Sequence, residues 1–199
     1  MKNVGSTILV ALRITIVCAF LFGAVYPFAV LCIGRAISPK SADGSLDYNG
    51  RGQVIGSKLI AQSFTGPGWF WPRPSAVDYK ADASGGSNLA PTNPALKERV
   101  QKAIAQHLAA GDVIDRDNPL PLELALASGS GLDPDITVDA ARSQIPRVAR
   151  ARNLSEESVT ALLDANLEGR LAQTLTGAAP TVNVLRLNLA LERLTAEGH

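Results

Sequence analysis

The sequence predicts an α+β protein: one N-terminal transmembrane helix, then a single soluble domain with a small sheet and several short helices. Three observations carry this expectation. Ile8 to Ile33 is almost wholly apolar, with Arg13 its only charge and no acid. Beyond it, capped helical periodicities alternate with short stretches that read as strands. The two kinds of element are interspersed without a βαβ rhythm, which fits a small sheet among helices better than a parallel one.

Ile14 to Ile33 is an uncharged run about as long as the roughly 20 helical residues that a bilayer core requires. A helix satisfies its own backbone hydrogen bonds, so lipid is a tolerable solvent for it. Gly23 and Pro27 suit a membrane helix better than a soluble one. The run is longer than the apolar region of a cleaved signal peptide, although Gly34 and Ala36 would fit a cleavage site. Cys32 follows Leu31, where a lipoprotein signal places a small side chain. A buried core helix apolar on every side does not suit so small a domain.

The expected organisation is an N-terminal tail and transmembrane helix over 1–36, a linker over 37–52 and a soluble domain over 53–199. The remainder is large enough to bury its own core. Lys2, Arg13 and Arg35 are the only charges of the first 35 residues, so 16 of the 19 bases face all 18 acids in the rest, a net −2. That balance creates no strong field for nucleic acid, which is not an expected partner. Both cysteines, Cys18 and Cys32, lie in the span, so the soluble part has no disulfide framework. Lys2 and Arg13 on one side of the span and Arg35, Lys40 and Arg51 on the other leave its orientation undecided by charge.

Within the soluble part, Val54-Ile55 and then Lys58 to Phe64 form a short, partly alternating stretch that predicts a strand. Thr65 to Tyr79 sets Trp69, Phe70 and Trp71 among three prolines, which forbid regular helix or central strand and leave an ordered aromatic loop. Those aromatics fit either a membrane interface or a core. Asn93 and Pro94 open a helix with Leu96, Val100, Ile104 and Leu108 every fourth residue, and Gly111 closes it. Leu122 to Ala127 is a short helix or strand. A helix is expected from Thr137 to about Gln144, a second from Pro146 to near Asn153, and a third capped by Ser155 with Val159, Leu162, Leu163 and Leu167 on its apolar face. Thr181 to Leu185 alternates like a strand, and Leu187, Leu191 and Leu194 mark a last amphipathic helix.

No complete catalytic set is present. The histidines are His107, at the edge of an apolar stripe and expected to be structural, and the last residue, His199. Gly50 to Lys58 holds the ingredients of a P-loop in the wrong order, because Ser57 separates the last glycine from the lysine. Ala83–Asn88 and Ala127–Gly131 fit tight turns better than anion-binding nests. Asp133, Asp135 and Asp139 lack the spacing of a calcium loop. Arg142, Arg147, Arg150 and Arg152 over three short helices imitate a helix-turn-helix, but Glu156, Glu157, Asp164 and Glu168 on the reading helix would repel phosphates. The residues alone therefore point to a partner-binding subunit rather than an enzyme.

Several blocks carry a specific resemblance. They are Ile60-Ala61-Gln62-Ser63-Phe64, Phe70-Trp71-Pro72-Arg73-Pro74-Ser75-Ala76, Ala83-Ser84-Gly85-Gly86-Ser87-Asn88-Leu89, Ala127 to Pro134, Gln144 to Ala149 and Val182 to Leu191. In this order, behind a helix bearing Tyr26-Pro27, the chain resembles the C subunit (KdpC) family of the Kdp-type potassium-transporting ATPase over nearly its whole length. The resemblance implies a non-catalytic accessory subunit of an ATP-driven potassium-import complex in the bacterial inner membrane. Its implied partners are a channel-like potassium-binding subunit, a P-type ATP-hydrolysing subunit and the lipid bilayer. It implies that the chain stabilises the assembly and raises the catalytic subunit's affinity for ATP. It also implies a cytoplasmic N-terminus and an extracytoplasmic soluble domain, so that any contact with ATP is indirect and no cofactor is tightly held. Such a domain would act at the external potassium entrance, with Asp133 or Asp135 concentrating cations. Arg73, Ser87, Asn88, Asp133, Gln144 and Arg147 match family motifs and are the candidates for ligand or subunit contacts; loop architecture is their other reading. The rival class is a membrane-anchored extracytoplasmic enzyme or binding module.

Overall fold

A computed structural model describes residues 4–49, 51–168, 177 and 179–197. Gly50 of the glycine-rich stretch and His199 lie outside the described residues. The chain forms two compact units, Met1–Leu46 and Asp47–His199.

The first unit is built on one continuous helix, α1 (Val4–Ile37), long and apolar enough to cross a membrane and with none of its apolar span buried by protein. Over Leu21–Val25 it widens to π geometry, and the Tyr26 N–H reaches back to the Leu21 carbonyl. The cause is local: Pro27 has no N–H to return to the turn before it, so the ladder shifts register there. Ser38 ends α1, and the one-turn helix α2 (Pro39–Ala42) follows.

A two-stranded ribbon follows, of β1 (Leu46–Tyr48), whose first residue is the last of the first unit, and β2 (Val54–Ser57). Of the stretch expected as strand, Val54-Ile55 lies in β2, whereas Lys58 to Phe64 does not continue it. From Lys58 the chain leaves the ladder, and the Ala61 N–H bonds the Leu132 carbonyl while Ala61 itself is buried. Helices α3 (Pro94–Ala110) and α4 (Leu122–Ala125) come next. Asn93 caps α3 through the Ala95 N–H, and Gly111 ends it in the left-handed region at φ 99°.

β3 (Asp135–Thr137) leads directly into α5 (Val138–Arg152). The two helices expected on either side of Ile145 are one, with Pro146 inside it. The bond that proline deletes belongs to the carbonyl of Arg142, an exposed position, while Ala140, Ala141, Gln144, Ile145, Val148 and Ala149 are buried around it. Packing outweighs the break, and the helix-turn-helix imitation disappears with it. Asn153 turns the chain at φ 54°, Ser155 caps α6 (Glu156–Ala165) through the Ser158 N–H, and β4 (Leu167–Glu168) follows. β5 (Thr181–Asn183) passes straight into α7 (Val184–Glu197), so the strand is shorter than the expected Thr181–Leu185.

β5 is the centre of an antiparallel sheet ordered β3-β5-β4, with Ile136 opposite Val182 and Leu167 also opposite Val182. Ile136 and Val182 enter a core with Phe70, Leu124, Ile145, Val148, Val159, Leu163, Leu187 and Leu191. Leu162 and Leu167 pack against its edge. Phe70 is fully buried, so the aromatic loop serves this core. Helix α3 departs from its expected face: the side chains it buries are Ala103 and His107, while Leu108 is 50% exposed.

Candidate functional site

The aromatic loop cannot satisfy its own backbone, because its prolines and turns exclude a ladder. Side chains from α5 and α7 do so instead. Asn188 of α7 accepts the Phe70 N–H through Oδ1 at 2.9 Å and donates Nδ2 to the Phe70 carbonyl at 2.9 Å. Gln144 of α5 accepts the Trp71 N–H at 2.8 Å and donates to the Trp71 carbonyl at 3.2 Å. Each amide thus imitates a neighbouring strand across one residue.

Arg147, one turn beyond Gln144, completes the clamp. It donates Nη1 to the Pro67 and Trp69 carbonyls, Nη2 to Gln144 Oε1 at 2.7 Å and Nε to Asp112 Oδ1 at 2.8 Å. The second oxygen of Asp112 lies 2.6 Å from His107 Nδ1. Arg147, Asp112, His107 and Gln144 are all buried. Burial pushes the guanidinium below its ordinary value, while the Asp112 carboxylate pulls the other way. The Arg147 guanidinium also stacks over Trp71 at 4.7 Å, and that of Arg152 over Trp69 at 4.1 Å. His107 packs its ring against Trp71, so its role is structural.

A second polar group lies further along the loop. Arg73 pairs with Asp133 at 3.0 Å, both partly exposed, and the other Asp133 oxygen accepts the Asp135 N–H. Asp135 Oδ1 in turn accepts from Asn183. Ser75 donates to the Gly131 carbonyl at 2.7 Å and accepts the Val77 and Tyr79 N–H groups. The Tyr79 hydroxyl donates to the Arg73 carbonyl, and its pKa is raised to about 12, first by burial and then by Asp78. Asp78 and Tyr79 both adopt positive φ, at 53° and 56°, a conformation rare for a bulky residue. The two Gly/Ser loops are bonded to each other: Gly85 N–H and Ser84 Oγ both donate to the Ser130 carbonyl. They are interlocked turns. Gly131, at φ 67°, faces the Gly85 carbonyl so closely that a Cβ there would sit 2.7 Å from it.

The six sequence candidates thus fall in three places. Gln144 and Arg147 join in the buried clamp, Arg73 and Asp133 form the outer ion pair, and Ser87 lines a cleft of about 930 Å³ between α3 and the aromatic loop. Asn88, beside Ser87, turns the chain at φ 51°. The cleft also carries Trp71 and Tyr79 on one side and Arg99, Lys102 and Gln106 on the other. Asp112 and Asn188 are essential to the clamp but were not among the candidates. Asp112 sits in a stretch that reads as linker, whereas a lone amide among the leucines of α7 was a legible signal for Asn188. Among the described residues no group of three or more His, Cys, Asp or Glu is placed to hold a metal ion.

Comparison with known proteins covers nearly the whole chain. Residues 8–193 match the family model described as KdpC: K+-transporting ATPase, c chain. A potassium-transporting ATPase KdpC subunit of Bacillus cereus (strain B4264) is 45% identical over 183 residues, covering 92% of this chain and 93% of the relative. The protein of the same name from Geobacter sulfurreducens is 44% identical over 197 residues, covering 98% and 99%. That from Pseudomonas entomophila (strain L48) is 48% identical over 186 residues, covering 92% and 93%.

Proposed function

Because this chain belongs to the KdpC family, the c chains of K+-transporting ATPases, we propose that it stabilises a potassium-import complex and raises its catalytic subunit's affinity for ATP. The observation that carries this reading is the family match over residues 8–193, which takes in both the membrane helix and the second unit. The clamp supports it: the polar atoms of Gln144, Arg147, Asp112 and Asn188 are engaged within the fold, which suits a scaffold better than a reaction centre.

In this reading the partners are a channel-like potassium-binding subunit and a P-type ATP-hydrolysing subunit, and this chain performs no catalysis itself. The N-terminus is cytoplasmic, the second unit lies outside the membrane at the potassium entrance, and ATP acts on it only through the other subunits. Asp133 and Asp135 are engaged by Arg73 and Asn183, so the entrance role rests on the family rather than on free carboxylates. Coupling between two binding events is reciprocal, so a chain that tightens ATP binding is itself held more tightly when ATP is bound.

The test is to assemble the complex with and without this chain, and to measure the KM for ATP and the dissociation of the chain with and without nucleotide. A higher KM without the chain and slower dissociation with nucleotide are expected. An unchanged KM would refute the ATP role. A reporter at residue 199 on the cytoplasmic side would refute the external placement and return attention to direct nucleotide contact by the Gly/Ser loops and Gln144. An activity retained by this chain alone would favour the membrane-anchored enzyme.

A further inference from the structure

Among the described residues, four of the seven large apolar side chains that stand exposed in the second unit fall between residues 48 and 59: Tyr48, Val54, Ile55 and Leu59. Tyr48, Val54 and Leu59 are 57%, 55% and 58% exposed. The β1–β2 ribbon, which carries the first three with Leu59 two residues past its end, contributes nothing to the hydrophobic core. It is nevertheless well formed, since Asn49 Oδ1 accepts the N–H groups of both Arg51 and Gln53 and fixes the turn. Exposed apolar side chains concentrated on one short ribbon and the residues just after it call for an occupant.

The path of the chain names it. α1 has 34 residues, about 51 Å at 1.5 Å each, enough for the hydrocarbon core and both headgroup layers of about 40–45 Å. After Ile37 the chain doubles back. Arg35 Nη2 pairs with Asp43 Oδ1 at 2.9 Å, and Gly34 faces Ala42. Residue 43 is therefore level with the last turns of α1, not beyond its end. From Asp43 to Tyr48 the backbone spans at most about 18 Å. The chemistry suits that depth: a tyrosine and three aliphatic side chains, with the cations Arg51 and Lys58 beside them and Asp47 already paired with Lys58.

We propose that the β1–β2 ribbon rests in the interfacial layer of the bilayer that α1 crosses, with Tyr48, Val54, Ile55 and the following Leu59 at the headgroup–acyl boundary and Arg51 at lipid phosphates. The ribbon is then a second lipid contact in addition to the transmembrane helix. This rests on α1 as the membrane span, which the experiment checks separately.

The full-length chain, with Cys18 and Cys32 replaced by alanine, is labelled with an environment-sensitive fluorophore at Val54→Cys, Leu59→Cys or the control Leu122→Cys. It is reconstituted alone in phosphatidylcholine–phosphatidylglycerol vesicles. Positions 54 and 59 are expected to give blue-shifted emission, protection from iodide and strong quenching by lipids spin-labelled near the headgroup. Position 122 should report water. Retained tryptophan emission shows that each variant is folded, and resistance to alkaline extraction shows that α1 is inserted. Aqueous emission and full iodide access at 54 and 59 in inserted, folded protein would overturn the proposal. So would protection that arises only when the other transport subunits are added, which would assign the patch to a protein partner.

Discussion

Arg147→Met tests whether the buried clamp holds the second unit together. Methionine keeps much of the aliphatic length, so the change isolates the guanidinium. Four hydrogen bonds are lost, to Asp112, Gln144 and the carbonyls of Pro67 and Trp69. The decisive loss is Asp112, whose side chain is 3% exposed and would keep a charge with one partner fewer. Breaking a buried pair from one side costs about 3–5 kcal/mol, mostly for the stranded charge. With a urea slope of about 2 kcal/mol/M, the unfolding midpoint falls by roughly 2 M. The assay is urea unfolding of the full chain in detergent, followed by tryptophan fluorescence. Both tryptophans, Trp69 and Trp71, lie in the clamped loop and stack under arginines, so the signal reports the region in question. Arg142→Met on the same helix is the control: its pair with Asp164 is long, at 3.4 Å, and about half exposed, so a change within about 0.5 kcal/mol is expected. If Arg147→Met cost less than about 1 kcal/mol, the clamp would not be what orders the loop, and Arg147 would have to be reread as a contact for another subunit.

Tyr79 and Gly131 offer two further checks. Tyr79 holds its proton to about pH 12 in the folded protein, against an ordinary value near 10. The unfolded chain therefore binds fewer protons between these limits, and stability present below pH 10 falls by about 2–3 kcal/mol as pH rises to 12. Tyr79→Phe should cost about 1 kcal/mol near neutral pH for the bond to the Arg73 carbonyl and should remove that share of the alkaline decline. Denaturant unfolding of both proteins across pH 9–12 checks it. Gly131→Ala combines a positive φ with a Cβ 2.7 Å from both the Gly85 carbonyl and Val77, so a loss of about 2–4 kcal/mol is expected by thermal or urea unfolding. A neutral result would mean that the two Gly/Ser loops separate readily.

What was legible in the sequence depended on whether the signal was local. The membrane helix, the caps at Asn93 and Ser155 and the stop at Gly111 each rest on a few adjacent residues, and each appears as expected. The continuation of the strand over Lys58–Phe64 and the break at Pro146 also rest on local propensity, but distant packing decides them. The buried face of α3 shows the mechanism. Periodicity counts a histidine as polar, so it favoured Leu108, yet His107 is the buried residue because Gly111 swings Asp112 back to pair with it. In the clamp, Gln144 and Arg147 stand out three residues apart on one helical face. Their targets are backbone groups 73 to 80 residues away, which no sequence pattern displays.

The location of these motif residues changes what their mutation can mean. Gln144, Arg147 and Asn188 are saturated inside the fold, so a variant that loses transport through them would do so by loosening the aromatic loop, not by removing a ligand group. Binding energy for other subunits must come from surfaces the fold leaves open, such as the cleft with Arg99 and Lys102. A loop held by the buried Arg147 and a domain tethered beside lipid are what a subunit needs if its work is to hold others in place. If the chain raises ATP affinity as proposed, that effect would scale with the stability of the clamp, so Arg147→Met and the milder Gln144→Ala should weaken ATP binding by the complex in the same order as they destabilise this chain.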